Sequence, residues 1–305
     1  GGATLQDPFA ADSIWNTPIP ANPALEEGQT AKRATIGGYG GNTPLATTRY
    51  GVAVHLADST TPKVRVNHLT NWFGYSFVNG VLVTENDTPV GGSDKHIVFV
   101  NQDDRCVYEG WIWNEDQNSS RSFGILPGGL DGDGIYPGGA SMNAAGSSML
   151  GGLVWPSEIR AGRIEHALAF SLNNSDVLDD GVAVPFTHST SGATGEHALP
   201  FGARIQLDPS FDVSTINDPV QRIIAKALQE YGAYNRDNGG TLALYGLANP
   251  EDHPTEPSWD DVGVATPYDQ LSEIPWDRFR VLDYDLQSGG GSLAGFDGGG
   301  CGSFS

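Results

Sequence analysis

Short runs of alternating apolar and polar residues recur along the chain, and a period of two is typical of half-buried β-strands. The runs cover residues 50–56, 64–69, 77–83, 95–100, 106–113, 164–172, 201–207 and 241–247. Gly, Pro, Asn, Asp, Ser and Thr separate them, as in domains built from many short strands. The pattern therefore predicts a chain that is mainly β.

Helical periodicity is convincing over only one long segment. Asp218 is suited to cap a helix, Pro219 to occupy its first turn, and apolar residues recur at helical spacing as far as Tyr231. We predict an all-β fold, a β-sandwich or jelly roll, with this one long helix packed against it and long loops. A single domain is expected over residues 1–287, followed by a Gly/Ser-rich tail over residues 288–305.

One predicted strand carries a carboxylate followed by two indoles. If alternation holds, Glu109, Trp111 and Trp113 share a face of this strand. Indoles stack on the apolar faces of sugar rings, and a carboxylate can transfer protons, so this face suits a polysaccharide. The alternative is a core face in which the tryptophans fill volume and Glu109 pairs with a basic residue.

A second candidate lies just after a short predicted helix that runs from Pro156 to Gly162. Alternation over residues 164–172 places His166 in an apolar row. An imidazole there is either a half-buried, hydrogen-bonded side chain or a catalytic or metal-binding group on the floor of a cleft.

Three further residues are candidates for chemistry. His96 opens a predicted strand, and Asp237 follows the long helix in a turn, where it serves as a functional carboxylate or only caps the turn. Arg204 lies in a predicted strand and is a candidate cation for binding a substrate carboxylate.

Asp131 and Asp133 have the spacing of the first two ligands of a calcium-binding loop. Ile135 stands where the third ligand would be, so a plain Asp-Gly turn competes with a calcium site. No other cofactor is expected.

The charge balance restricts the partners. The chain has 37 acidic and 16 basic residues and a formal charge of −21. Such a surface repels nucleic acid and polyanions, so a neutral partner is expected. The alternative is that the acidity only keeps a secreted or salt-exposed protein soluble. No apolar run is long enough to span a bilayer.

Cys106 and Cys301 are the two cysteines of the chain. In an exported protein they are expected to form a disulfide that attaches the tail to a strand, and the alternative is two free thiols.

Several short sequence motifs, in their order along the chain, resemble those of a family of secreted bacterial proteins. They are DSIWNTP, HIV followed by YEGW, GGLVWPSEIRAGRIEHAL, ARIQLDP, YGAY with DNGG, and IPW, and they extend over most of the chain to about residue 282. The resemblance implies export and a single domain, and it carries over no catalytic residues.

These observations favour a secreted enzyme that cleaves a polysaccharide, with glycoside hydrolysis as the first hypothesis. Glu109, His166, His96 and Asp237 are the candidate catalytic residues, and Trp111, Trp113 and Arg204 are the candidate substrate-binding residues. A polysaccharide lyase with a histidine base is the second hypothesis, and a non-catalytic glycan-binding or structural protein is the third. Motifs of α/β-hydrolases, zinc peptidases and dinucleotide enzymes are absent from the sequence.

Overall fold

The computed structural model describes residues 4–70, 72–84, 87–139, 142–265, 268–290, 296 and 298–305. Strands outnumber helices, so the prediction of a mainly β chain is confirmed. The helices are α1 (Gln29–Tyr39), α2 (Pro156–Ala161) and α3 (Pro219–Glu230). The strands are β1 (Pro44–Ala46), β2 (Ala53–Ala57), β3 (Lys63–His68), β4 (Phe77–Leu82), β5 (Ile97–Asn101), β6 (Val107–Asn114), β7 (Ser119–Ile125), β8 (Leu168–Asn173), β9 (Val177–Ala183), β10 (Leu199–Phe201), β11 (Arg204–Leu207), β12 (Ala233–Gly239), β13 (Ala243–Tyr245), β14 (Tyr268–Gln270), β15 (Phe279–Val281), β16 (Leu286–Gln287) and β17 (Ser303–Phe304).

The strands form three sheets. Sheet I has the order β14-β1-β13-β8-β12-β11-β15, sheet II has the order β17-β4-β3-β7-β6-β5-β2, and sheet III has the order β10-β9-β16. Both large sheets mix parallel and antiparallel pairs: β8 and β12 are parallel in sheet I, and β2 and β5 are parallel in sheet II. One cluster of buried apolar side chains includes Phe170 of sheet I and Phe99 of sheet II, so the two sheets share a core.

Helix α3 confirms the predicted long helix and its cap. The Asp218 carboxylate accepts hydrogen bonds from the backbone N–H groups of Val220 and Gln221. Helix α1 was not predicted. Of its eleven residues only Lys32 and Ile36 are buried, so its apolar stripe is too narrow to stand out in the sequence.

Several predicted strand boundaries are wrong. The predicted strand over residues 201–207 is divided between β10 of sheet III and β11 of sheet I. Strand β8 begins at Leu168 rather than at Ile164, because the preceding residue Ala167 donates its N–H to the Trp15 carbonyl outside the sheet. The polar stretch around Asp237 was predicted as a turn, yet it belongs to β12, which lies between β8 and β11.

The C-terminal tail is attached to sheet II. Cys106 and Cys301 form the predicted disulfide, and β17 pairs with β4. The boundary between a domain of residues 1–287 and its tail remains a prediction. No helix in the described ranges is both long and apolar enough to cross a membrane.

Candidate functional site

A two-lobed cleft lies where the C-terminal end of β12 meets the segment that leads into β5. One lobe has a volume of about 450 Å³ and the other of about 550 Å³. Because Asp94, His96, Asp237 and Asn238 line both lobes, we treat the two as one cleft with these four residues at its centre. The aromatic lobe is lined by Trp72, Phe73 and Trp111, and the polar lobe by Asn42, Ser93, Ser171, Thr241 and Gln270, among others.

A break in the register of β12 positions Asp237. Asn235 pairs with Phe170 and Asp237 with the very next residue of β8, Ser171, so Arg236 is an extra residue in the ladder. Bulges of this kind re-aim side chains and recur beside active sites. Here the Arg236 side chain is fully buried, while Asp237 lines the cleft.

Asp237 has the electrostatics of a proton donor. Burial raises its pKa to about 7, and the nearby Asp94 carboxylate raises it as well. Arg236 and the backbone N–H groups of Asn238 and Ala144 oppose this shift but do not cancel it. A carboxyl group with such a pKa keeps a large protonated fraction near neutral pH, as a general acid requires.

His96 is 3% exposed at the centre of the cleft. Burial lowers its pKa to about 4; Arg236 lowers it further, and Asp94 partly offsets both. Its Nδ1 atom has no hydrogen-bond partner within the described chain. At neutral pH His96 is therefore an uncharged imidazole in the lining of the cleft.

His188, which stands in a loop, also lines the aromatic lobe. Its Nδ1 lies 2.9 Å from the Ala144 carbonyl oxygen. Since a carbonyl only accepts, Nδ1 carries the proton, and in the neutral ring Nε2 is left as an acceptor.

Trp72 and Trp111 form the wall of the aromatic lobe. Their rings are nearly parallel, with an interplanar angle of 28° and centroids 6.4 Å apart. Trp72 is 54% exposed, unlike a core tryptophan, and Arg121 lies 5.4 Å from its ring centroid. An exposed indole beside a cavity is a typical contact for an apolar ligand face.

Glu109 lies outside the residues that line the cleft. Its side chain is fully buried and accepts hydrogen bonds from Ser148 Oγ at 2.6 Å, Met149 N at 2.9 Å and Tyr136 OH at 3.1 Å. Burial raises its pKa to about 7, although these three bonds and Arg236 lower it. Glu109 thus anchors the loop that carries Ser148 and Met149.

The expectation that Glu109, Trp111 and Trp113 share one face is wrong. Ile112 has a φ of 54°, which interrupts the alternation, and its N–H bonds to the Asp94 carbonyl at 2.8 Å. Trp113 consequently packs in the core against Phe99 and Phe123, which pair with residues 108 and 110 of β6. It is fully buried and does not line either lobe.

His166 and Arg204 lie away from the cleft lining. His166 Nε2 is 3.0 Å from a Glu158 carboxylate oxygen, in a separate indentation of about 230 Å³. Burial alone would lower the pKa of His166, but Glu158 and the Ala167 carbonyl raise it overall. Arg204 donates to the carbonyls of Tyr231 and Thr17, which is a structural role.

The calcium candidates are engaged in other contacts. Asp131 forms an ion pair with Arg105, with Nε 2.6 Å from its carboxylate, and this lowers the pKa of Asp131. Asp133 accepts a hydrogen bond from the N–H of Ile135, as in an Asp-initiated turn. Among the described residues no group of three His, Cys, Asp or Glu side chains is arranged to hold a metal ion.

Of the sequence candidates, the cleft brings together His96, Trp111 and Asp237. Sequence reasoning missed Asp94, His188, Asn238 and Trp72. Asp94 and Asn238 stand two and one residues from singled-out positions, so they carried a local signal, whereas Trp72 and His188 lie in loops whose course only the fold reveals.

Comparisons of the chain with protein-family models, characterised proteins and solved structures gave no match.

Proposed function

We propose that this protein is a carbohydrate-active enzyme that hydrolyses a neutral polysaccharide in the cleft. One observation carries the proposal: two carboxyl groups, Asp94 and Asp237, line the same cleft as a pair of indoles. Glycoside hydrolases use two carboxyl groups that flank the scissile bond, one as the proton donor and the other as the base or nucleophile.

In this mechanism Asp237 donates its proton to the glycosidic oxygen as the bond to the anomeric carbon breaks. Asp94 acts on the opposite side, either by taking a proton from the attacking water or by attacking the sugar itself. Water supplies the hydroxyl of the new reducing end. If Asp94 is the base, the water proton goes to Asp94, and both carboxyl groups regain their starting protonation by exchange with solvent. If Asp94 is the nucleophile, water breaks the bond between Asp94 and the sugar and returns a proton to Asp237. His96, uncharged at neutral pH, is suited to bonding a sugar hydroxyl.

The composition of the cleft favours hydrolysis over a lyase reaction. A lyase must offset the charge of a uronate carboxylate, usually with a cation, yet no Lys or Arg is among the described residues that line either lobe. The formal charge of −21 adds a general repulsion of polyanions. A pure binding module would need the indoles but not a pair of carboxyl groups, so the presence of both Asp94 and Asp237 favours an enzyme.

We also propose that the protein is secreted and that sheets I and II pack face to face as a sandwich. The Cys106–Cys301 disulfide suits an oxidising compartment, and the shared core suits two packed sheets.

The test is a substrate screen with two readouts. The protein is incubated with neutral glycans (β-glucans, xylan, mannan) and with polyuronates, and both reducing ends and ultraviolet absorbance are measured. Reducing ends from a neutral glycan without absorbance support hydrolysis. Absorbance from a polyuronate would replace hydrolysis by a lyase reaction, and binding without any product would leave only the binding module.

A further inference from the structure

The cleft extends to both sides of its central residues. Apart from Asp94, His96, Asp237 and Asn238, the residues that line the aromatic lobe and those that line the polar lobe do not overlap. A ligand that reaches from one lobe into the other must therefore pass the two carboxyl groups.

The two lobes differ in the chemistry that they offer to a sugar. The aromatic lobe presents Trp72 and Trp111, whose rings suit the apolar faces of sugar units. The polar lobe presents uncharged hydroxyl and amide groups, among them Ser93, Thr241 and Gln270, which suit hydrogen bonds to sugar hydroxyls.

Both lobes include exposed side chains in their lining. Trp72 is 54% exposed in the aromatic lobe, and Asn42 and Gln270 are exposed in the polar lobe. Each lobe alone has the volume of a small-molecule site. A chain that fills both lobes can thus continue into solvent at either end.

We infer that the enzyme is endo-acting: it binds an internal stretch of an uncharged polysaccharide across both lobes and cuts it at the centre of the cleft. This inference rests on the proposed hydrolytic function and adds where along the chain the cut falls. The aromatic lobe holds the sugar units on one side of the cut bond, and the polar lobe holds those on the other side.

The test uses a neutral oligosaccharide that carries a label at its reducing end and is long enough to span both lobes. Trp72→Ala and Gln270→Ala change one exposed side chain in each lobe, so neither should impair folding. Leu286→Ala and Gln117→Ala are matched controls, because both residues are exposed and line neither lobe. Chromatography of the labelled products gives the bond that is cut.

We expect the wild type and both controls to cut the same internal bond. Trp72→Ala should move the main cut toward one end of the oligosaccharide and Gln270→Ala toward the other, because each removes binding on a different side. Release of terminal units alone by the wild type, or shifts of both variants in the same direction, would overturn the endo inference while hydrolysis stands. If no neutral glycan is cut at all, the hydrolytic function fails and the endo inference fails with it.

Discussion

Asp237 and Glu109 are two carboxyl groups with similarly raised pKa values in different surroundings. Asp237 faces the cleft, whereas Glu109 is enclosed by Tyr136, Ser148 and Met149, all of which donate hydrogen bonds to it. Both pKa values rise to about 7 because burial disfavours the charged form. Replacing each carboxyl group by the corresponding amide should show which of the two acts on the substrate and which only supports a loop.

Glu109→Gln should destabilise the protein and leave turnover within a few-fold of the wild type. The amide NH₂ replaces an acceptor oxygen that faces hydrogen-bond donors, which costs about 1–3 kcal/mol. Denaturant unfolding and activity at 25 °C measure the two effects separately. A loss of activity of 10²-fold or more without loss of stability would return the catalytic role to Glu109.

The raised pKa of Glu109 also predicts how stability depends on pH. The folded state binds its proton up to about pH 7, whereas the unfolded chain releases it near 4.5. Between these values the folded state holds more protons, so the free energy of unfolding falls as the pH rises, by on the order of 3 kcal/mol for this group. The difference between wild type and Glu109→Gln across this range isolates the effect, and a constant difference would contradict it.

At the scale of single residues, the sequence indicated which residue types could act in a site, but it did not indicate where their side chains point. His96, Trp111 and Asp237 were singled out for their residue types, and they line the cleft. The direction of Trp113 was not predictable, because an isoleucine with positive φ is rare and nothing in the sequence marks Ile112 as one.

Among the elements, α3 gives a direct test of the link between sequence and stability. Asp218→Ala removes the side chain that caps two backbone N–H groups and should lower the free energy of unfolding by about 1 kcal/mol. Asp260→Ala, at an exposed carboxylate, is the control. Thermal unfolding of both variants measures the difference, and equal stabilities would show that the cap contributes nothing.

The helices with clear start signals were predictable from the sequence, whereas the polar strand β12 that borders the cleft was not. The Pro-initiated helices α2 and α3 begin where the sequence indicates. The sequence of β12 is typical of a turn, because its residues 235–238 are all polar. They lie in a sheet because Arg236 finds buried carbonyl partners in Met149 and Gly151 and because Asp237 lines the cleft. Local propensity carries no information about such tertiary partners.

For the molecule as a whole, the disulfide is the longest-range constraint. It joins residues separated by 195 positions and attaches the tail beside β4. The double variant Cys106→Ala/Cys301→Ala should lose roughly 2–5 kcal/mol of stability, chiefly because the unfolded chain gains freedom. The exchange of the Ser305 amide proton, which bonds to the Phe77 carbonyl, should accelerate. Unchanged protection there would mean that strand pairing alone holds the tail.

The sheet order shows why the sequence could not predict the cleft. Alternation indicates strands but not partners, and β8 pairs with β12 across more than 60 residues of chain. The cleft forms only when the end of β12 comes close to the segment before β5, which belongs to a different sheet.

The proposed mechanism requires Asp237 to donate the proton that breaks a glycosidic bond. The most direct measurement is the turnover of Asp237→Asn on the neutral glycan that the wild type cleaves, with Asp116→Asn, an exposed carboxylate outside the cleft, as the control. We predict a loss of about 10²–10⁴-fold for Asp237→Asn with folding intact. We also predict wild-type activity that declines as the pH rises through about 7, because only protonated Asp237 can donate. Equal turnover of Asp237→Asn and the control would contradict the account.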